Sequence, residues 1–167
     1  MIELHSIKFE FSQIQQVADF NCGDSPFEYA VAEWIKSDRA IKSIRDRGTE
    51  VWLYYEADSL VGYGSLGATR RKWLPPNGNY QNLSIIPSLA VQTEFQGKPD
   101  SPPRYSHLIL GDLISKAREH RNQLLVLYVH VDNTRAIKFY EKFDFKPSGY
   151  QDDHGYTPMY HRLPDNN

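Results

Sequence analysis

One cysteine, Cys22, stands among 167 residues, so the chain forms no internal disulfide and no zinc knuckle. No apolar run approaches the roughly 20 residues that a transmembrane helix requires. The opening MIELHSIKFEF lacks the charged head and apolar stretch of a signal peptide. Charge of neither sign dominates: 19 Lys and Arg stand against 21 Asp and Glu, a net of −2, and no global positive field draws the chain to nucleic acid or anionic lipid. The six histidines include no i, i+4 pair beside carboxylates, which argues against a metal site. Internal repeats and low-complexity stretches are lacking too. What remains is an ordinary globular balance, 40% apolar and 24% charged. With 13% aromatics and a mean hydropathy of −0.59, neither disorder nor membrane spanning is expected. The length fits a single domain over residues 1–163 with a flexible tail at 164–167, cytoplasmic, without membrane contact, and a monomer or homodimer.

Two Pro-rich interruptions, Leu74-Pro75-Pro76-Asn77-Gly78-Asn79 and Lys98-Pro99-Asp100-Ser101-Pro102-Pro103, read as loops within that domain. An extended segment near residues 3–11 precedes a helix whose start is written in Ser25-Pro26-Phe27-Glu28: a capping serine, a proline at the first helical position and a glutamate able to close a capping box. Phe27, Val31, Trp34 and Ile35 give that helix one apolar face, and Ile41 and Ile44 predict a second helical piece ending before Gly48. Val51–Tyr55 and Leu60–Leu66 read as a hairpin around Ala57-Asp58-Ser59, and Ser84–Val91 as a strand that Pro87 makes irregular. A helix follows at about 106–121, capped by Ser106, with Leu110, Leu113, Ile114 and Ala117 at helical spacing. Leu124–Val131 reads as a strand buried on both faces. Next comes a helix at about 134–143 that gathers Ala136, Phe139, Tyr140 and Phe143, and then extended segments near 148–150 and 157–163. The order is α/β with a mixed sheet.

Chemistry concentrates in two stretches. The first, Ser88-Leu89-Ala90-Val91-Gln92-Thr93-Glu94-Phe95-Gln96-Gly97-Lys98 ahead of the Ser106 helix, is a strand, a glycine-bearing turn and a helix start, where unpaired N–H groups are able to hold a phosphate or pyrophosphate. The second runs from Val129-His130-Val131-Asp132-Asn133-Thr134-Arg135-Ala136 through Ile137-Lys138-Phe139-Tyr140-Glu141-Lys142-Phe143-Asp144-Phe145. Asn133 at a strand end, Ala136 three residues on, the pair Phe139-Tyr140 and the aromatic Phe145 after the turn resemble the late motif of the GCN5-related N-acetyltransferase (GNAT) family. The Gln96-Gly97-Lys98 segment, in the expected order upstream, looks like that family's acetyl-CoA motif. The resemblance covers about residues 51–163. It departs from the pattern in three ways: the loop lacks the second glycine, it is longer (Pro99 to Arg104), and Asp144 replaces the usual turn glycine, although Asp tolerates left-handed backbone. Asp19-Phe20-Asn21-Cys22-Gly23, the helix near Ser25 and Val61-Gly62-Tyr63 are more loosely similar to the family's toxins that acetylate aminoacyl-tRNA.

The resemblance implies a mixed, mostly antiparallel sheet flanked by helices with splayed central strands, forming an acyl-CoA N-acyltransferase domain that uses acetyl-CoA without metal. It implies that Leu89, Ala90 and Val91 pair with the pantetheine arm, and that amides around Gln96, Gly97, Lys98, Ser106 and His107 face the pyrophosphate. Asn133, with Ala136 and Phe139 in its motif, would bind the cofactor, and the Tyr140 hydroxyl would reach its sulfur. A phenol ordinarily titrates near 10 and a thiol near 8.5, so Tyr140 enters protonated and donates as thiolate leaves. For the base that deprotonates the incoming amine, Glu94, His130 and Asp132 stand level. The acceptor is a primary amine of a small molecule, peptide or protein. Two alternatives stay open. A toxin-like enzyme acting on aminoacyl-tRNA would need a basic face from Arg39, Lys42, Arg45, Arg70, Arg71 and Lys72. A non-catalytic acyl-CoA-binding regulator would fit the altered loop. Asp152-Asp153-His154 is a candidate site for a cationic amine, and Cys22 reads as a bystander thiol.

Overall fold

The computed structural model describes residues 2–72, 79–97 and 104–164. They fall into two compact units, Met1–Gly67 with Ser88–Leu113 and Ala68–Pro87 with Ile114–Asn167. Each is built around its own hydrogen-bonded strands.

In the first unit, strand β1 (His5–Lys8) leads through a 3₁₀ turn at Phe11–Val17 to helices α1 (Pro26–Lys36) and α2 (Arg39–Arg47). The start of α1 is the capping box expected from sequence: Ser25 Oγ accepts from the Glu28 N–H at 3.2 Å, and Glu28 Oε1 accepts from the Ser25 N–H at 3.4 Å. Helix α2 ends on Gly48 at φ 66°, the left-handed residue that closes a helix cheaply only when it lacks a Cβ. Strands β2 (Glu50–Glu56) and β3 (Ser59–Lys72) form the expected hairpin, with Ala57 at φ 50° in the turn, and β1 lies antiparallel on β2. Val17, Phe20, Ile35, Leu53 and Tyr63 fill the core between these strands and α1.

Pro87 divides the strand expected over Ser84–Val91. Its far part is β5 (Leu89–Val91), antiparallel to β3 through Gly62↔Val91, Tyr63↔Ala90 and Gly64↔Leu89. Its near part is β4 (Tyr80–Ile85), in the second unit, which pairs with the continuing β3. Helix α3 (Tyr105–Arg118) begins one residue before Ser106. Ser106 is therefore the second helical residue rather than a cap, and the carbonyl that accepts from the first turn is that of Arg104. Ile109, Leu110, Leu113, Ile114 and Ala117 are buried along one face of α3 at the predicted spacing.

In the second unit, β6 (Leu124–His130) pairs in parallel with β4 only at Ser84↔Leu125 and Ile85↔Val126, and antiparallel with β8 (Tyr156–Arg162) along its whole length. From Leu127 to His130 its strand partners among the described residues are on the β8 side alone. Tyr128 is 38% exposed, so β6 is not buried on both faces throughout. Helix α4 (Thr134–Glu141) ends at a turn where Asp144 takes φ 62° in the glycine-like conformation. The extended segment expected near 148–150 is displaced. Strand β7 is Lys146–Pro147, and the chain bends at Gly149, φ 79°. The β1–β2, β2–β3, β3–β5, β6–β8 and β7–β8 ladders are antiparallel, giving the mixed, mostly antiparallel sheet flanked by helices. Among the described residues no helix is long and apolar enough to cross a membrane.

Candidate active site

The bend at Pro87 is held by side chains. Ser65, fully buried on β3, accepts from the Ser88 N–H at 2.9 Å and donates to the Ser88 carbonyl at 2.7 Å. One hydroxyl thus satisfies both backbone groups that the interrupted strand leaves unpaired. The Tyr63 hydroxyl donates to the Val31 carbonyl at 2.7 Å and lies 2.5 Å from Ser88 Oγ, which therefore donates to it. Gly62 lets β5 approach closely: a Cβ there would sit 2.3 Å from the Ala90 carbonyl oxygen.

The register assigns each backbone group of β5 a direction. The Gln92 N–H donates to the Val61 carbonyl at 2.7 Å. Hydrogen-bonded pairs recur every second residue in an antiparallel ladder, so Tyr63 and Ala90 form the next one. The polar groups of Ala90 thus go to β3. Those of Leu89 and Val91 go to the opposite edge, where no strand pairs with β5 among the described residues. There the Val91 carbonyl accepts from Gln96 Nε2 at 2.9 Å. Of the three residues expected to line the pantetheine arm with their backbone, Ala90 is turned the other way.

The loop after β5 is tied down at its base. Gln96 Nε2 also donates to the Cys22 carbonyl at 2.6 Å, and the Thr93 N–H and Oγ1 both donate to the Asn21 carbonyl, at 2.8 and 3.1 Å. The Gln96 N–H donates to Thr93 O at 3.2 Å and the His107 N–H to Arg104 O at 3.0 Å. These two amides are engaged within the chain rather than directed at a ligand, unlike the sequence expectation. Gly97 is exposed at the end of the described loop, Ser106 is half-buried in the first turn of α3, and Lys98 lies outside the described residues.

In the second unit, Asn133 caps α4: its Oδ1 accepts from the Ala136 N–H at 3.3 Å, which leaves the two Nδ2 hydrogens directed elsewhere. Phe139 and Phe145 pack edge-on or tilted against the Tyr140 ring, with centroids 5.2 and 5.7 Å away. Burial pushes the Tyr140 phenol up to about 12. Its hydroxyl has no hydrogen-bond partner among the described residues, yet no sealed side-chain polar atom there lacks one, so the hydroxyl reaches open space.

The base candidates stay apart in character. Glu94 is exposed in a 3₁₀ turn at Thr93–Phe95. His130 Nδ1 accepts from the Asp132 N–H at 3.2 Å, which places the proton of the neutral ring on Nε2, and the Asp132 carboxylate lies 3.7 Å from Nδ1. Asp152 holds a turn: its Oδ1 accepts from the N–H groups of His154 and Tyr156 at 2.9 and 2.8 Å. The sequence offered that carboxylate as a holder of cationic amine, whereas the structure uses it to shape the β7–β8 connection. Cys22 is buried, and burial followed by the negative charge of Glu28 pushes its thiol up to about 11, so little nucleophilic thiolate exists at neutral pH.

Comparison with known proteins places this chain in the N-acetyltransferase class. The fold matches solved structures over nearly its whole length. One is the toxin AtaT, as a mutant bound to the C-terminus of the antitoxin AtaR and acetyl-CoA (12% identity, 96% of this chain and 93% of that one, TM-score 0.70). Another is the ribosomal-protein alanine N-acetyltransferase of Escherichia coli (13%, 99% and 97%, TM-score 0.64). A third is the spermidine/spermine N-acetyltransferase SpeG of Vibrio cholerae (17%, 96% and 93%, TM-score 0.62). No curated protein matched the sequence. The model of the acetyltransferase (GNAT) family matches residues 10–145, and the chain belongs to that family of acetyl-CoA-dependent N-acetyltransferases.

Proposed function

We propose that the chain transfers the acetyl group of acetyl-CoA to a primary amine by direct attack, with Tyr140 as general acid. The observation that carries this reading is the Tyr140 phenol: neutral at physiological pH, without a hydrogen-bond partner among the described residues and not sealed from solvent. The edge of β5 supports it, since the Leu89 N–H and C=O and the Val91 N–H are able to pair with an extended polyamide such as a pantetheine arm. The Asn133 Nδ2 hydrogens supply further donors, and the amides of Gly97 and Ser106 supply donors for the pyrophosphate. The toxin AtaT, which shares the fold, has been solved with acetyl-CoA.

In this mechanism the amine reaches the thioester carbonyl unprotonated, after Glu94, His130, Asp132 or a water chain removes its proton. Backbone N–H at Leu89 or Val91 stabilises the oxyanion, and Tyr140 offers its hydroxyl hydrogen to the departing sulfur. A toxin-like action on aminoacyl-tRNA draws less support: Lys42 pairs with Asp38 at 2.8 Å and Arg45 with Asp46 at 2.8 Å, which removes two cations from the face it requires. The test is thiol release from acetyl-CoA with a panel of amines. Turnover that falls on Tyr140→Phe supports the reading, whereas coenzyme A binding with no turnover for any amine points to a regulator.

A further inference from the structure

Helix α3 follows directly on the undescribed residues 98–103 and Arg104, and it is fastened to β2 by two phenol–carboxylate pairs. The Tyr105 hydroxyl, at the first residue of α3, donates to Glu56 Oε2 on β2. The Tyr54 hydroxyl on β2, with its residue 2% exposed, donates to Asp112 Oδ2 on α3 at 2.6 Å. Tyr54 and Glu56 are two residues apart on β2, and both reach α3 across the point where the β2–β3 register shifts between Tyr54 and Tyr55. Tyr105 and Asp112 are seven apart, nearly two turns, and share one face of the helix, about 10 Å apart along its axis. The order of acid and phenol is reversed between the two pairs, so each element presents one donor and one acceptor. Two such bonds at separated points fix both the rotation of α3 and its height against β2, which one bond does not. The Tyr105 ring also meets Phe95 edge-on, centroids 5.5 Å apart, so the end of the 3₁₀ turn at Thr93–Phe95 is packed against the start of α3.

We infer that Tyr105 and Glu56, with Phe95 and the Tyr54–Asp112 pair behind them, are positioning residues that hold the first turn of α3 for the nucleotide end of the donor. The inference rests on the proposed reading that this turn meets the pyrophosphate. None of these residues is among those proposed to meet the thioester end, so the brace acts on recognition of the phosphorylated part of coenzyme A and not on its pantetheine arm.

Calorimetric titration with coenzyme A and with pantetheine separates the two. Tyr105→Phe keeps the ring against Phe95 and removes only the hydroxyl; it weakens coenzyme A about tenfold, the effect of one lost hydrogen bond to a carboxylate, and leaves pantetheine unchanged. Glu56→Gln keeps an acceptor and retains most of the affinity. A merely structural role would weaken both ligands alike, and that outcome, or unchanged coenzyme A affinity in Tyr105→Phe, overturns the inference. Should Tyr105→Phe not fold, Asp112→Asn carries the same comparison. A native chain that binds coenzyme A no better than pantetheine defeats the pyrophosphate reading itself; a native preference that survives in every variant defeats only the brace.

Discussion

Replacing Tyr140 by phenylalanine removes one oxygen that has no hydrogen-bond partner among the described residues, so packing against Phe139 and Phe145 is retained and the effect falls on chemistry. The phenol is raised to about 12 by burial, while a leaving thiol ordinarily titrates near 8.5. Complete proton transfer to a solvated thiolate would run uphill by about 3.5 pH units, roughly 5 kcal/mol. Tyr140 therefore acts chiefly by donating a hydrogen bond to sulfur as its charge develops. Its removal is expected to slow thiol release by about 100-fold, the low end for general-acid groups. A thiol-trapping assay at saturating acetyl-CoA measures this, with coenzyme A affinity followed in parallel by calorimetry. Turnover within about threefold of the native rate, or loss of coenzyme A binding in step with turnover, refutes the reasoning. The pH dependence has a definite sign. The folded pKa lies above the usual phenol value of 10, so the neutral form is the one the fold favours. That contribution is intact below about pH 10, where both states are neutral, and is lost as pH rises through about 12. Tyr140 therefore causes no alkaline fall in rate between about pH 7 and 10.

Ser65→Ala strands the Ser88 N–H and carbonyl in a buried bend and is expected to cost about 1–3 kcal/mol, read from the urea midpoint at unchanged slope; a loss below about 0.5 kcal/mol contradicts the account of the bend. Gly62→Ala places a Cβ 2.3 Å from the Ala90 oxygen, and the forced shift costs about 1–3 kcal/mol and weakens coenzyme A binding by moving β5. Cys22 resists iodoacetamide in the native chain at pH 8 and reacts once denatured, because its thiol is buried and raised to about 11; fast native labelling would count against that environment.

Local signals were legible. Ser25, Pro26 and Glu28 name the start of α1 because a capping box is complete within four residues. Gly48 and the Ala57-Asp58 turn likewise carry their conformations in their own chemistry, and Pro87 foretells a break since it has no N–H to pair. The recurrence of Asn133, Ala136 and Phe139-Tyr140 gave the family, which the match over residues 10–145 establishes. What the sequence withheld is long-range. Ser65 resembles any strand serine until its hydroxyl is found on Ser88, and Gln96 reaches a carbonyl 74 residues away at Cys22. The direction of the Ala90 polar groups depends on register against β3, which only the pairing reveals. Ser106 reads as a cap in the sequence although α3 begins at Tyr105, because good capping chemistry one residue late is indistinguishable there from capping chemistry on time.

An unpaired strand edge usually invites association with other chains. Strand β5 is only three residues long, and the Val91 oxygen on that edge is already taken by Gln96. A foreign polypeptide laid alongside would gain too few bonds to stay, whereas a slim molecule with a pair of amides needs no more than is offered. Brevity thus acts as a filter: the same vacancy that welcomes a small guest gives neighbouring proteins no foothold.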